Sequence, residues 1–109
     1  MSGLDKKSCV PCSGGLPPLT AAEVQALLQD VPQWKLSKDG KRISRKFKFD
    51  EFAPAMQFAN RVADLAEAEG HHPDFHIHWN EVELVLWTHD IGGLHENDFI
   101  VAAKVDRLA

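Results

Sequence analysis

All six histidines of this 109-residue chain fall between His71 and His95. A lone histidine is ordinarily a surface residue, or a core residue satisfied by a backbone carbonyl. Six gathered around one helix end and one hairpin point instead to a shared site. Histidine changes charge near neutral pH, so such a cluster suits general acid and base work. Glu67 precedes His71 by one helical repeat, which puts the two on nearly the same side of a helix. A carboxylate there holds an imidazole in one tautomer. Gly70 is a natural helix terminator, and Pro73 biases His72 away from helical dihedrals. His71 and His72 therefore project in different directions from one corner. His89 is expected to end a strand and reach the same region across a hairpin, with Trp79 offering a flat apolar surface to a planar ring.

The elements that carry these residues follow from pattern. Residues 1–18 read as a flexible or extended N-terminal arm containing a CxxC pair, Cys9 and Cys12, and residues 19–109 as a single domain. Thr20 and Glu23 make a capping box, Leu19 and Val24 a hydrophobic staple, and the helix they start ends before Pro32. A strand from Trp34 leads through the Asp39-Gly40 turn into a second strand whose inner face is Ile43, Arg45, Phe47 and Phe49. Asp50 is the expected cap of a long helix with Phe52, Met56, Ala59, Val62, Ala63 and Ala66 on its apolar face.

A second hairpin alternates through Phe75, Ile77 and Trp79 to a turn at Asn80-Glu81. The strand after it puts Val82, Leu84, Leu86 and Thr88 on one face, and Glu83, Val85, Trp87 and His89 on the other. A last helix runs from about His95, at its N-cap, to Leu108. Hairpins join neighbouring strands, so the order α-β-β-α-β-β-α predicts an α+β fold: a four-stranded antiparallel sheet with three helices packed on one face.

Composition narrows the function. At 44% hydrophobic and 26% charged, with a formal charge of −4, the chain has the makeup of an ordinary soluble globule. The only basic run, Lys41-Arg42 and Arg45 to Lys48, alternates like a solvated strand face, so no nucleic-acid partner is expected. No apolar stretch approaches the roughly 20 residues of a membrane span. The first residues lack the apolar segment of a signal peptide, which makes the cytoplasm the expected location. Cys9 and Cys12 have the spacing of a redox pair or of half a zinc site. No matching second pair stands nearby, and no helix start is placed to lower a thiol pKa.

The series Glu67, three residues, His71-His72-Pro73, five residues, Trp79, nine residues, His89, eight residues, Asp98 resembles the signature of the pterin-4a-carbinolamine dehydratases. Trp34, the Phe47-Lys48-Phe49 strand, Thr88-His89, Gly93-Leu94 and Asn97-Asp98 extend the likeness from about Leu16 to the C-terminus. The Cys-Val-Pro-Cys lead-in resembles that of some bacterial members. The resemblance implies four antiparallel strands with three helices on one face, as the pattern does independently. It also implies loss of water from 4a-hydroxytetrahydropterin to give quinonoid dihydropterin, in tetrahydropterin recycling. His71, His72 and His89 would then be the acid/base groups, with Glu67, Pro73, Trp79 and Asp98 binding the pterin. Neither metal nor cofactor is implied. Asp98 has a second explanation, because an acid in the first turn of a helix is favoured by the macrodipole alone.

The chain departs from the family pattern in places. Gly70 stands where some members carry Asp, Phe75-His76 replaces a more aromatic pair, and His76 and His78 lie outside the signature. His76, His78 and Glu83 faintly resemble a cupin metal motif, but that fold needs about eight strands. The alternative function is a non-catalytic dimerisation or scaffold protein on the same fold. An edge strand or exposed helix able to pair isologously makes a homo-oligomer, dimer or tetramer, the expected assembly.

Overall fold

In the computed structural model, which describes residues 3–10 and 16–109, the first long helix starts for the reason its sequence suggests. The Thr20 hydroxyl accepts the Glu23 N–H at 3.2 Å, and Glu23 Oε1 accepts the Thr20 N–H at 2.8 Å. Helix α1 (Ala21–Leu28) is followed by strands β1 (Lys35–Leu36) and β2 (Ile43–Lys48), then by helix α2 (Phe52–Glu69). Strands β3 (Asp74–His78) and β4 (Glu81–Leu86) and helix α3 (Glu96–Leu108) complete the order. The strands form one antiparallel sheet in the order β1-β2-β4-β3, so the α+β architecture is the one expected.

Period-two alternation decides which face the helices cover. Val82, Leu84, Leu86 and Thr88 are buried, as are Ile43 and Phe47 of the paired strand. Arg45 lies opposite Leu84 in the same register. Its guanidinium sits 4.3 Å over the Phe47 ring and meets Asp106 of α3 at 2.5 Å. The Trp34 indole donates to the same carboxylate oxygen at 2.8 Å. A polar residue is thus carried on an inner face because a half-buried acid receives it.

Four local expectations change. Glu51 rather than Asp50 is the N-cap of α2, in extended conformation and without a side-chain cap bond. The buried stripe of α2 is Ala55, Phe58, Ala59, Val62 and Ala66, while Phe52 is exposed. The stripe is set by Phe58, whose ring lies 4.7 Å from that of Phe47 and 5.3 Å from that of Phe49. The hairpin loop is Trp79-Asn80, since Glu81 pairs with His78. Trp79 takes φ +41° there, a region that favours glycine. Asn80 pins the loop to the entry of α2 by donating to the Phe49 carbonyl at 2.8 Å. Finally, β4 ends at Leu86, so His89 opens a separate 3-10 turn, His89–Ile91. That turn closes on Gly92 at φ +66°, and Thr88 bridges to Gly93.

The described part of the N-terminal arm lies against α3. Leu4 is buried with the core, in a 3-10 turn spanning Leu4–Lys6. Asp5 pairs with Arg107 and Lys7 with Glu96, both at 2.8 Å. Cys12 of the CxxC pair lies outside the described residues. No helix among the described residues is long and apolar enough to cross a membrane.

The exit from α2 sets the direction of the histidine pair. Gly70 adopts φ +68°, and its N–H and that of His71 both donate to the Ala66 carbonyl, at 2.9 and 3.3 Å. Among the described residues, nothing outside its own chain neighbourhood lies within 4 Å of where a Cβ on Gly70 would sit, so its dihedral is what resists a side chain. Gly70→Ala is therefore expected to lower unfolding free energy by about 1 kcal/mol, read from the urea midpoint. An unchanged midpoint would mean that the left-handed turn is not required.

Candidate active site

The left-handed turn at Gly70 reassigns the acid–histidine pairs. Glu67 does not meet His71. Its Oε2 lies 2.5 Å from His72 Nε2, and both side chains are well exposed. His71 is carried the other way, toward α3, where its Nε2 lies 2.6 Å from Asp98 Oδ1. The helical spacing that suggested a Glu67–His71 pair fails because the chain has left the helix at Gly70 before reaching His71.

Asp98 is completely buried, and its two oxygens are fully used. Oδ1 faces His71, while Oδ2 accepts the Thr88 hydroxyl at 2.9 Å and the His95 N–H at 3.0 Å. His95 completes the cap by accepting the Asn97 N–H on Nδ1 at 3.0 Å. Asp98 is therefore both a capping residue of α3 and the partner of His71. When His71 is neutral, Nε2 carries the proton that Asp98 accepts, and Nδ1 is left with the lone pair.

His71, His72, Pro73 and His89 line one open cavity of about 390 Å³, together with Trp87 and Val10. Among the described residues His89 makes no side-chain hydrogen bond, and its ring is held by stacking. Its centroid lies 3.8 Å from that of Trp87, and the Arg42 guanidinium covers the Trp87 ring at 4.4 Å. The Trp87 indole N–H reaches Asp74 at 3.2 Å. Alternation along β4 signals Trp87 by putting it on the same face as His89, whereas the family signature points to Trp79 as the aromatic wall.

Trp79 stands elsewhere. It is 63% exposed at the tip of the β3–β4 loop, while the cavity lies at the Asp74 end of β3. Five strand steps separate Asp74 from Trp79, roughly 16 Å. Asp98 sits behind His71 rather than in the wall, and Glu67 sits at the rim. His76 and His78 are on the exposed edge strand β3. No three His, Cys, Asp or Glu side chains among the described residues converge in a way that would hold a metal ion.

Burial, with the nearby Glu69 carboxylate, pushes the Cys9 thiol up to about 12. Glu69 itself is held below the usual carboxylate range by the Cys9 N–H and by the Lys104 ammonium at 2.6 Å. Cys9 is thus a thiol, not a thiolate, at neutral pH. In a Cys12→Ser chain, iodoacetamide at pH 8 should alkylate folded Cys9 about 10²–10³ times more slowly than the unfolded chain, accelerating only as pH nears that value. Equal rates in the two states would show the thiol to be unprotected.

The two acid–histidine pairs also predict different stabilities. Asp98→Ala strands three donors, one buried and two part-buried, and should cost about 3 kcal/mol, whereas Glu67→Ala, at an exposed pair, should stay within about 0.5 kcal/mol. Denaturant titration of both variants checks this, and equal losses would contradict the assigned burial.

A model of the family described as Pterin 4 alpha carbinolamine dehydratase matches residues 17–108. A Methylococcus capsulatus protein provisionally named pterin-4-alpha-carbinolamine dehydratase is 53% identical over 106 residues, covering 97% of this chain and 93% of that protein. A Marinobacter nauticus protein with the same provisional name is 51% identical over 110 residues, covering 99% of each. The crystal structure of a transcriptional coactivator/pterin dehydratase from Brucella melitensis is similar, with a TM-score of 0.80 at 33% identity over 84% of this chain and 98% of that one. A pterin dehydratase-like protein identified as a RuBisCO assembly factor in the alpha-carboxysome is similar with a TM-score of 0.61 at 26% identity. It covers 71% of this chain and 89% of that one.

Proposed function

The chain belongs to the pterin-4a-carbinolamine dehydratase family, and from that premise we propose that it removes water from 4a-hydroxytetrahydropterin by histidine acid/base catalysis. The observation that carries the reading is the convergence of His71, His72 and His89 on one open cavity, with a buried carboxylate behind the first. The reaction needs two proton movements and no change of oxidation state. The N5 lone pair forms the C4a=N5 bond as the C4a–O bond breaks. The hydroxyl leaves as water with a proton from one histidine, and the N5 proton passes to another.

His71 suits the base. Asp98 accepts a hydrogen bond from its Nε2–H, which leaves the Nδ1 lone pair to take the N5 proton and keeps a negative charge beside the imidazolium that forms. His72 and His89, on the more open side, supply the proton to the departing hydroxyl. Pro73 and Trp87 offer apolar surface to the planar ring, and Glu67 orients His72. Trp79 takes no part. We take the chain to act in the cytoplasm as a homo-oligomer. The exposed Ile77 on edge strand β3, beside Trp79, supports self-association.

A second reading, a non-catalytic assembly or dimerisation protein, is favoured by one observation: the RuBisCO assembly factor shares the fold at 26% identity. One assay separates the two. With chemically generated 4a-hydroxytetrahydropterin, the unaltered chain should accelerate dehydration, and His72→Ala and His89→Ala should each lose about 10²–10⁴-fold in rate while staying folded. Full activity in both variants would mean that the cavity is misassigned. No acceleration by the unaltered chain would leave the assembly role.

A further inference from the structure

The matched family span begins at residue 17, yet Val10 lines the histidine cavity. The short stretch that carries it is held from two sides. The Cys9 N–H donates to Glu69 Oε1 at 2.9 Å, at the end of α2, and the Cys9 Sγ lies 3.7 Å from the Asn97 carbonyl on α3. Asn97, 2% exposed, then uses both ends of its amide on one residue. The Val10 N–H donates to Oδ1 at 3.0 Å, and Nδ2 donates to the Val10 carbonyl at 2.6 Å. A side chain bonded to both backbone groups of a residue fixes it much as a neighbouring strand would. Asn97 directly precedes Asp98, so one turn of α3 clamps Val10 and holds His71.

What is clamped so firmly is not a core residue. Val10 is 57% exposed, an apolar side chain bordering the same cavity as Pro73 and Trp87. Docking of the arm onto α3 already has its apolar anchor in Leu4 and its ion pairs at Asp5 and Lys7. The extra bonds at Cys9 and Val10 fall where the arm reaches the cavity rim.

We propose that Val10 is a substrate-contacting residue, strapped across the rim by Asn97 and Glu69 so that the arm supplies one apolar wall against the planar pterin. The inference rests on the pterin reading above. It assigns the arm to affinity rather than to proton transfer, because Val10 has no group that moves a proton.

Val10→Asp tests it, since both backbone bonds to Asn97 survive while a carboxylate enters the wall. The KM for 4a-hydroxytetrahydropterin and the Kd for non-reacting 7,8-dihydropterin, read by fluorescence titration, should both rise about tenfold, with kcat falling less than about threefold. Should the aspartate loosen the arm and lower the melting midpoint, Val10→Ala gives the same test, with a KM rise of about threefold. Unchanged KM and Kd in these variants overturn the proposal and leave the arm as a support for α3 alone. If the unaltered chain neither turns over nor binds the pterin, the pterin reading fails first, and this proposal falls with it.

Discussion

The Asp98 carboxylate is the contact from which the rest of the site takes its position. A buried charge is tolerated only where donors surround it, and the three donors here come from three separate places: the exit of α2, the tail of β4 and the start of α3. His71, Thr88 and His95 are therefore fixed relative to one another by a single group. Thr88 immediately precedes His89, so the bond from its hydroxyl to the capping carboxylate also sets where the third histidine begins. The macrodipole account of an acid in a first helical turn and the catalytic account of the same acid are not rivals. The partial positive charge at the helix start lowers the cost of burying the carboxylate that orients His71.

The sheet supplies the opposite wall by a different route. Its inner face is filled by Val82, Leu84 and Leu86, and strict alternation sends Trp87 to the uncovered side. His89 stays with Trp87 although the strand has already ended, because ring stacking continues what backbone pairing no longer enforces. The Arg42 guanidinium lies over the indole, and Asp74 accepts its N–H. A solvent-facing tryptophan is thereby kept in one orientation by two contacts to its ring and a hydrogen bond at its edge. The cavity sits where this stack meets the corner at Gly70.

Much of the fold was legible because it depends on local rules. The capping box at Thr20, the stop at Gly70 and the alternation of β4 each rest on residues close in sequence. The buried face of α2 was legible at Ala59, Val62 and Ala66 but not in its first half, because Phe52 and Phe58 are equally apolar, and only the Phe47 and Phe49 rings across the core select Phe58. The histidine cluster was visible as a cluster, but its pairing was not. A spacing of four implies proximity only while the helix lasts, and His71 lies beyond its end. The choice of Trp79 over Trp87 has a similar cause. A strand's period tells which face a residue takes, not which end of the strand the site occupies. The docking of the arm on α3 left no trace, since an Asn97 amide bonding a backbone far away in sequence carries no local signature.

Two acids and two adjacent histidines look interchangeable on paper, and the turn at Gly70 makes them unlike. In the Asp98–His71 pair the carboxylate is fully buried and only part of the imidazole reaches the cavity, so its geometry is held by the packing around Asp98 and needs little reorganisation when a proton arrives. The Glu67–His72 pair is open to solvent, where an ion pair is worth little and can part and re-form. The dehydration proposed above, which both removes and delivers a proton, would be served by that difference. In that proposal the base works best in a fixed tautomer, whereas the donor must turn toward a leaving group and recover its proton from water. One glycine in the left-handed region separates the two environments, because it sends consecutive residues to opposite sides of the helix end.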